Sequence, residues 1–220
     1  MKFRKLPAFA ALFLAAVAFA VPAALAGPDE DAAALEGGNP VPDGAMTINF
    51  TWMGKQSLTA TSDAEERVVV TADTTAQEHP DLGSITMDGK GSGTGEFKVQ
   101  VKELRSGHTL RDQHLQSADW LDAEKFPEVG LKITKLERVK PTVWRLTGTW
   151  TMHGIASAVT ALVNVRLIPN MPYLGDNIVR VKTSFNVSLK AHGVKSEAVG
   201  SPMVAESWKV DVVVLGVTKK

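Results

Sequence analysis

Along most of its length the chain alternates apolar and polar residues with a period of two. Met46, Ile48, Phe50 and Trp52 fall on one face of an extended segment, as do Phe97, Val99 and Val101, then Leu131 and Ile133, then Trp144, Leu146 and Trp150. The alternation returns in Val159, Ala161, Val163, Val165 and Leu167, in Val179, Val181, Phe185, Val187 and Leu189, and in Trp208, Val210, Val212 and Val214. Successive side chains of a strand point to opposite faces, so each run predicts a strand with one face buried. Turn formers separate the runs at Asp88-Gly89, Gly91 to Gly95, His153-Gly154 and Pro169 to Asp176. Many strands joined by turns predict an all-β domain, either a closed barrel or a sandwich.

One segment breaks the alternation. Ser117 to Phe126 reads S-A-D-W-L-D-A-E-K-F and predicts a short helix. Asp119 caps its start, Asp122 and Glu124 suit the positive end of the helix dipole, and Pro127 stops it. Trp120, Leu121 and Phe126 form its apolar side. In a β domain such a helix plugs one end of the barrel, where the interior would otherwise meet water, and Asp119 to Phe126 is the expected gate for a ligand.

The first residues have the zones of a secretory signal. Lys2, Arg4 and Lys5 precede an apolar run from Leu6 to Val21, and Ala24-Leu25-Ala26 offers the small-x-small pattern a signal peptidase cuts. The run is interrupted by Pro7 and Pro22 and is short beside the ~20 apolar residues of a spanning helix. Residues 1–26 therefore read as a cleaved signal peptide, 27–45 as a flexible segment rich in Ala, Gly and Pro, and 46–217 as the folded domain.

Charge and cysteine narrow the function. Lys plus Arg and Asp plus Glu each total 24 in the whole chain, and cleavage after Ala26 removes three basic residues, leaving a mildly acidic product of 194 residues. No basic tract is left to neutralise a nucleic-acid backbone. The absence of cysteine excludes thiol catalysis, disulfides and lipid attachment to an N-terminal Cys. His79, His108, His114, His153 and His192 include no close ligand pair such as H-E-x-x-H, which speaks against a metal site. The glycines at 91 to 95 lack the lysine and following helix of a phosphate loop, and no Ser, His and Asp have triad spacing.

Two blocks carry a resemblance. Leu110 to Val129 reads L-R-D-Q-H-L-Q-S-A-D-W-L-D-A-E-K-F-P-E-V, and Leu146 to Leu162 reads L-T-G-T-W-T-M-H-G-I-A-S-A-V-T-A-L. At this spacing the chain resembles the YceI-like family, over Gly95 to Leu167 and, more weakly, through the last strands to Leu215. It departs from the family pattern at Leu131, where Phe is usual, and at His192-Gly193-Val194, which alone represents the aromatic and Gly near the penultimate strand. No early G-x-F can be placed between Thr51 and Thr75.

The resemblance implies a lipocalin-like, extended antiparallel barrel of about eight strands with a short plugging helix, exported to the periplasm or secreted. It implies a protein that is not an enzyme, needs no cofactor, and binds an isoprenoid lipid or a quinone-type chain. Family members are often dimers, so a homodimer is a further expectation. The residues themselves permit a cavity, since bulky Phe50, Phe97, Trp150 and Phe185 are mixed inward with Gly148, Ala161 and Thr183. Together with Trp120, Leu121 and Phe126 they are the expected contacts for a chain, whose burial gains about 0.8 kcal/mol per CH₂. Arg111, Asp112 and His114 are the candidate mouth, with Arg111 or His114 donating to a headgroup oxygen. Alternatively Arg111 and Asp112 fix the loop into the helix and His114 is packed in the core. His153 projects from a hairpin turn, where it contacts a headgroup or stabilises the turn. Two other functions compete with lipid carriage: a filled-barrel interaction or stress-response module, and an enzyme using Asp112 and His114 as acid and base.

Overall fold

The structure is a computed structural model that describes residues 36–62, 69–72, 82–168, 178–202 and 204–219. The expected signal peptide, the first part of the 27–45 segment, the Pro169 to Asp176 turn and His79 lie outside the described residues. Among the described residues there are ten strands: β1 (Asn39–Pro40), β2 (Ala45–Ser62), β3 (Val69–Ala72), β4 (Gly83–Asp88), β5 (Ser92–Gln100), β6 (Glu128–Lys140), β7 (Val143–Met152), β8 (Ile155–Ile168), β9 (Ile178–Ser188) and β10 (Ser207–Lys219). One α-helix, α1 (Thr109–Gln116), interrupts them between β5 and β6.

The strands close on themselves. Antiparallel pairing runs β8, β7, β6, β5, β4, β2, β10, β9, and β9 pairs back onto β8, giving an eight-stranded lipocalin-like barrel. Closure removes the free edges that would otherwise recruit other chains. β3 lies outside the ring against the far half of β2, and β1 lies against Arg166 and Leu167 of β8. Thus the alternation read from sequence holds: Leu131 and Ile133, Leu146 and Trp150, Val163 and Val165, Val181 and Phe185, and Val210 and Val212 are all buried in one core.

Bending the sheet into a ring needs places where the backbones approach closely. Gly148 of β7 is one, since a Cβ there would sit 2.3 Å from the Lys132 carbonyl oxygen; Gly95 of β5 is another, 2.4 Å from that of Ser84. This places Ser92 to Gly95 in β5 instead of the expected turn, which is confined to residues 89–91. Opposite Gly148, β6 carries an irregularity between Ile133 and Lys135. Inward positions therefore change phase along β6, from Val129, Leu131 and Ile133 to Leu136.

The helix lies earlier than expected. Ser117 to Phe126 is not helical; it is a series of turns, and α1 precedes it. Asp122 adopts φ +48°, outside the helical region, and the amides of Leu121, Asp122 and Ala123 reach back to the carbonyls of Leu115, Ser117 and Gln116. Side-chain type misled the reading: Trp120, Leu121 and Phe126 are pulled inward by a compact loop and share no helical face. The real helix, T-L-R-D-Q-H-L-Q, shows almost no apolar stripe, because Leu110 is 60% exposed and only Leu115 is buried.

The two barrel ends are closed by different chain segments. At the helix end lie the β5–β6 connection with α1, the β7–β8 turn and the β9–β10 connection. At the lead-in end lie the β4–β5 and β6–β7 turns and residues 36–44. The latter are structured from Glu36 onward: Gly37 N–H donates to Thr142 Oγ1, β1 pairs with β8, and Val41 is buried in the core. Ordered structure thus begins before the alternation does, since a two-residue strand that itself contains Pro40 leaves no periodic signal.

Candidate functional site

The barrel interior is walled almost wholly by hydrocarbon. Phe50, Phe97, Trp150 and Phe185 are all buried, and the Trp150 and Phe185 rings meet edge to face with centroids 5.3 Å apart. The inward Thr183 hydroxyl is already engaged, donating to the Leu162 carbonyl at 2.9 Å. Among the described residues, the indole N–H groups of the inward Trp144 and Trp150 are by contrast buried with no acceptor. A buried donor left unpaired costs about 1–3 kcal/mol, so a ligand oxygen beside either would be stabilised. No nucleophile or acid–base pair is among these wall residues.

At the helix end the expected contacts converge on a plug. Leu121 is fully buried with Leu115 and Ala123, and the half-buried Trp120 packs against the same core. Phe126 meets the His153 ring edge-on at 4.8 Å. His153 and Gly154 form the two-residue β7–β8 turn with φ of +51° and +72°, the hand that matches strand twist. Unlike a projecting turn residue, His153 is buried. Its Nδ1 lies 2.9 Å from the His192 carbonyl oxygen, which can only accept, so Nδ1 carries the hydrogen. The same logic fixes His192: Nδ1 donates to the Ser188 carbonyl at 2.7 Å, leaving Nε2 beside the Ser157 hydroxyl at 3.0 Å. His192 is a buried polar side chain that periodicity could not single out, because it sits in the β9–β10 connection.

The candidate mouth is not assembled as a cluster. Arg111 and His114 are exposed on α1, whereas Asp112 accepts from the Ser106 amide and hydroxyl, both at 2.6 Å. This latch ties the loop before α1 to its first turn, which is the loop-fixing role weighed for Asp112. Burial pushes the Asp112 carboxyl up, but the two Ser106 hydrogen bonds and the charges of Arg105 and Arg111 outweigh it and hold it below the ordinary Asp value.

The lead-in end holds what sequence reasoning missed. An open recess of about 860 Å³ is lined by Val41, Asp43, Lys90, Arg138 and Lys140, with prolines and glycines of the neighbouring turns. Arg138 pairs across the ladder with Trp144, and its guanidinium carbon lies 4.7 Å from the centre of the indole ring. Its Nη1 donates to Asp43 at 2.7 Å, while its Nε is buried without a partner. The signal was the three-residue step from Ile133 to Leu136, which marks the phase change and turns Arg138 to the same face as Trp144.

Comparison with known proteins places these features in context. The profile of the YceI-like domain matches residues 44–215. The chain is 28% identical over 140 residues to a UPF0312 protein of Pseudomonas putida (strain GB-1), covering 63% of this chain and 70% of that protein. Among solved structures it is similar to Burkholderia cenocepacia BcnA, with a TM-score of 0.60 and 15% identity over 79% of this chain and 96% of that one. It is also similar to a polyisoprenoid binding domain from Saccharophagus degradans implicated in plant cell wall breakdown, with a TM-score of 0.50 and 9% identity over 80% and 94% of the two chains. At these identities the structural likeness speaks for the fold.

Proposed function

Because the chain belongs to the YceI-like family, we propose that it is an exported, non-catalytic binding protein whose barrel holds an isoprenoid lipid or quinone-type chain for transport, storage or sequestration. The observation that carries this reading is the inner wall, hydrocarbon along β6 to β10 and broken by unpaired indole donors where catalysis would need reactive groups. A lipid chain drawn into such a wall gains about 0.8 kcal/mol per buried CH₂ without any polar contact. The similar Saccharophagus degradans domain, described as polyisoprenoid binding, supports the same ligand class. The leader pattern of residues 1–26 supports export to the periplasm or medium, and no helix among the described residues is long and apolar enough to cross a membrane.

Native mass spectrometry of gently purified protein tests the reading. A co-purified hydrophobic molecule, or uptake of added quinone, is expected. Repeated absence of both would favour the second reading, a filled-barrel interaction or stress-response module without a lipid ligand, for which the close Trp150–Phe185 contact speaks.

A further inference from the structure

The recess at the lead-in end carries groups that closing a barrel does not require. Arg138 stands over Trp144 on the inner register of β6 and β7, and its side chain is only 28% exposed. A guanidinium offers a planar fork of N–H donors suited to two oxygens of one anion. Here the fork is half used: Nη1 donates to Asp43, while the buried Nε and the buried indole N–H of Trp144 donate to nothing. The occupant is weakly held, because the Asp43 side chain is 87% exposed and such ion pairs contribute little. Lys90 and Lys140 add positive charge to the recess, and Asp43 is the carboxylate among its lining residues. Lys140 is shared with Glu36 at 3.1 Å, again on the lead-in.

We propose that this recess is the headgroup subsite for an anionic amphiphile. A phosphate or carboxylate displaces Asp43, takes Arg138 and the Trp144 indole as donors with Lys90 and Lys140 flanking, and leaves its apolar chain to run inward toward Trp150. The inference rests on the lipid-barrel reading and deepens it, naming the charge of the ligand and the end that holds it. It assigns the headgroup to the end opposite Arg111 and His114.

Tryptophan fluorescence titrations of the purified protein with geranylgeranyl phosphate, geranylgeraniol and sodium phosphate test it. The wild type is expected to bind the phosphate ester about tenfold more tightly than the alcohol. Arg138→Gln should erase that preference, bringing the affinity for the ester down to that for the alcohol, and Trp144→Phe should narrow it. Asp43→Asn should widen the preference, and its exposed side chain keeps the test valid should Arg138→Gln not fold. Equal binding of ester and alcohol by the wild type, or a preference that survives Arg138→Gln, overturns the inference and leaves the lipid reading standing. Sodium phosphate bound as tightly as the ester would overturn the amphiphile in favour of a free anion. Binding of neither chain compound sinks both readings.

Discussion

At its helix end the barrel is closed by buried side chains and by a lattice of backbone hydrogen bonds, whereas at its lead-in end the described residues 36–44 contribute a two-residue strand, one buried valine and two ion pairs. Leu115, Leu121 and Ala123 fill the first end, and the carbonyls of Leu115, Gln116 and Ser117 are each engaged by an amide of the following turns. Phe126, His153 and His192 then lock the β7–β8 turn against the β9–β10 connection. At the other end Val41 is the buried residue among the described residues 36–44, and Glu36–Lys140 and Asp43–Arg138 tie this lead-in to the strand below. Burial is expensive to reverse and ion pairs at the surface are cheap, so detaching residues 36–44 is expected to cost less than unpacking the helix-end plug. The sequence pointed to the other end as the gate. Cross-linking residues 119–126 to a neighbouring strand should therefore leave ligand exchange unchanged, while cross-linking the lead-in to β8 should slow it.

Perturbing each end in turn sharpens the contrast. The largest effect belongs to Leu121→Ala, expected to cost about 3 kcal/mol in urea unfolding because the side chain is wholly buried. Gly154→Ala follows at about 2 kcal/mol: its φ of +72° disfavours a side chain, and the new Cβ would lie 2.3 Å from the Phe126 ring. Across the barrel, Val41→Ala should cost about 1.5 kcal/mol; a loss as large as that of Leu121 would show that both ends are closed alike.

Asp112→Asn probes the latch before α1. Its carboxyl is held below the ordinary value in the folded state, so its contribution is fully present above about pH 4 and is lost as pH falls through the lowered folded value. The variant should be less stable by about 1 kcal/mol at pH 7, and its urea midpoint should approach that of the wild type in acid. A gap that persists at the lowest pH would point to a role other than the charge. Smallest is Glu36→Gln with Asp43→Asn, expected to change global stability by less than about 0.5 kcal/mol. Its signature is instead faster amide hydrogen exchange over residues 36–43, with the 115–126 segment unaffected.

Much of the barrel was legible because its signal is local and repeated. β7 and β9 bury alternate residues along most of their length, and on β6 the period of two holds up to the irregularity after Ile133. What failed to show were features decided by tertiary partners. The apolar content of Ser117 to Phe126 looks helical in isolation, but Asp122 in a left-handed conformation and the long-reach hydrogen bonds around it fold the segment as turns. Thr109 to Gln116 forms the helix with little apolar stripe to announce it. Phe50, Phe97, Trp150 and Phe185 were read correctly as inward residues, since inwardness follows from alternation. Arg111 and His114, the expected mouth residues, stand exposed on α1. No local pattern pairs Arg138 with Asp43, nearly a hundred positions away, and only the broken step in β6 hinted that a cation had turned inward.

That broken step carries a lesson in parity. Val129, Leu131 and Ile133 are odd-numbered inner residues, while Leu136 is even, and Arg138 inherits the even set only because β6 holds one residue too many for its partner. Were the irregularity lost with the sequence unchanged, alternation carried on unbroken from Ile133 would turn Lys135, Glu137 and Val139 inward and Arg138 outward, taking the guanidinium off the rim. Ligand choice at that rim would then be written several residues away from any atom the ligand touches.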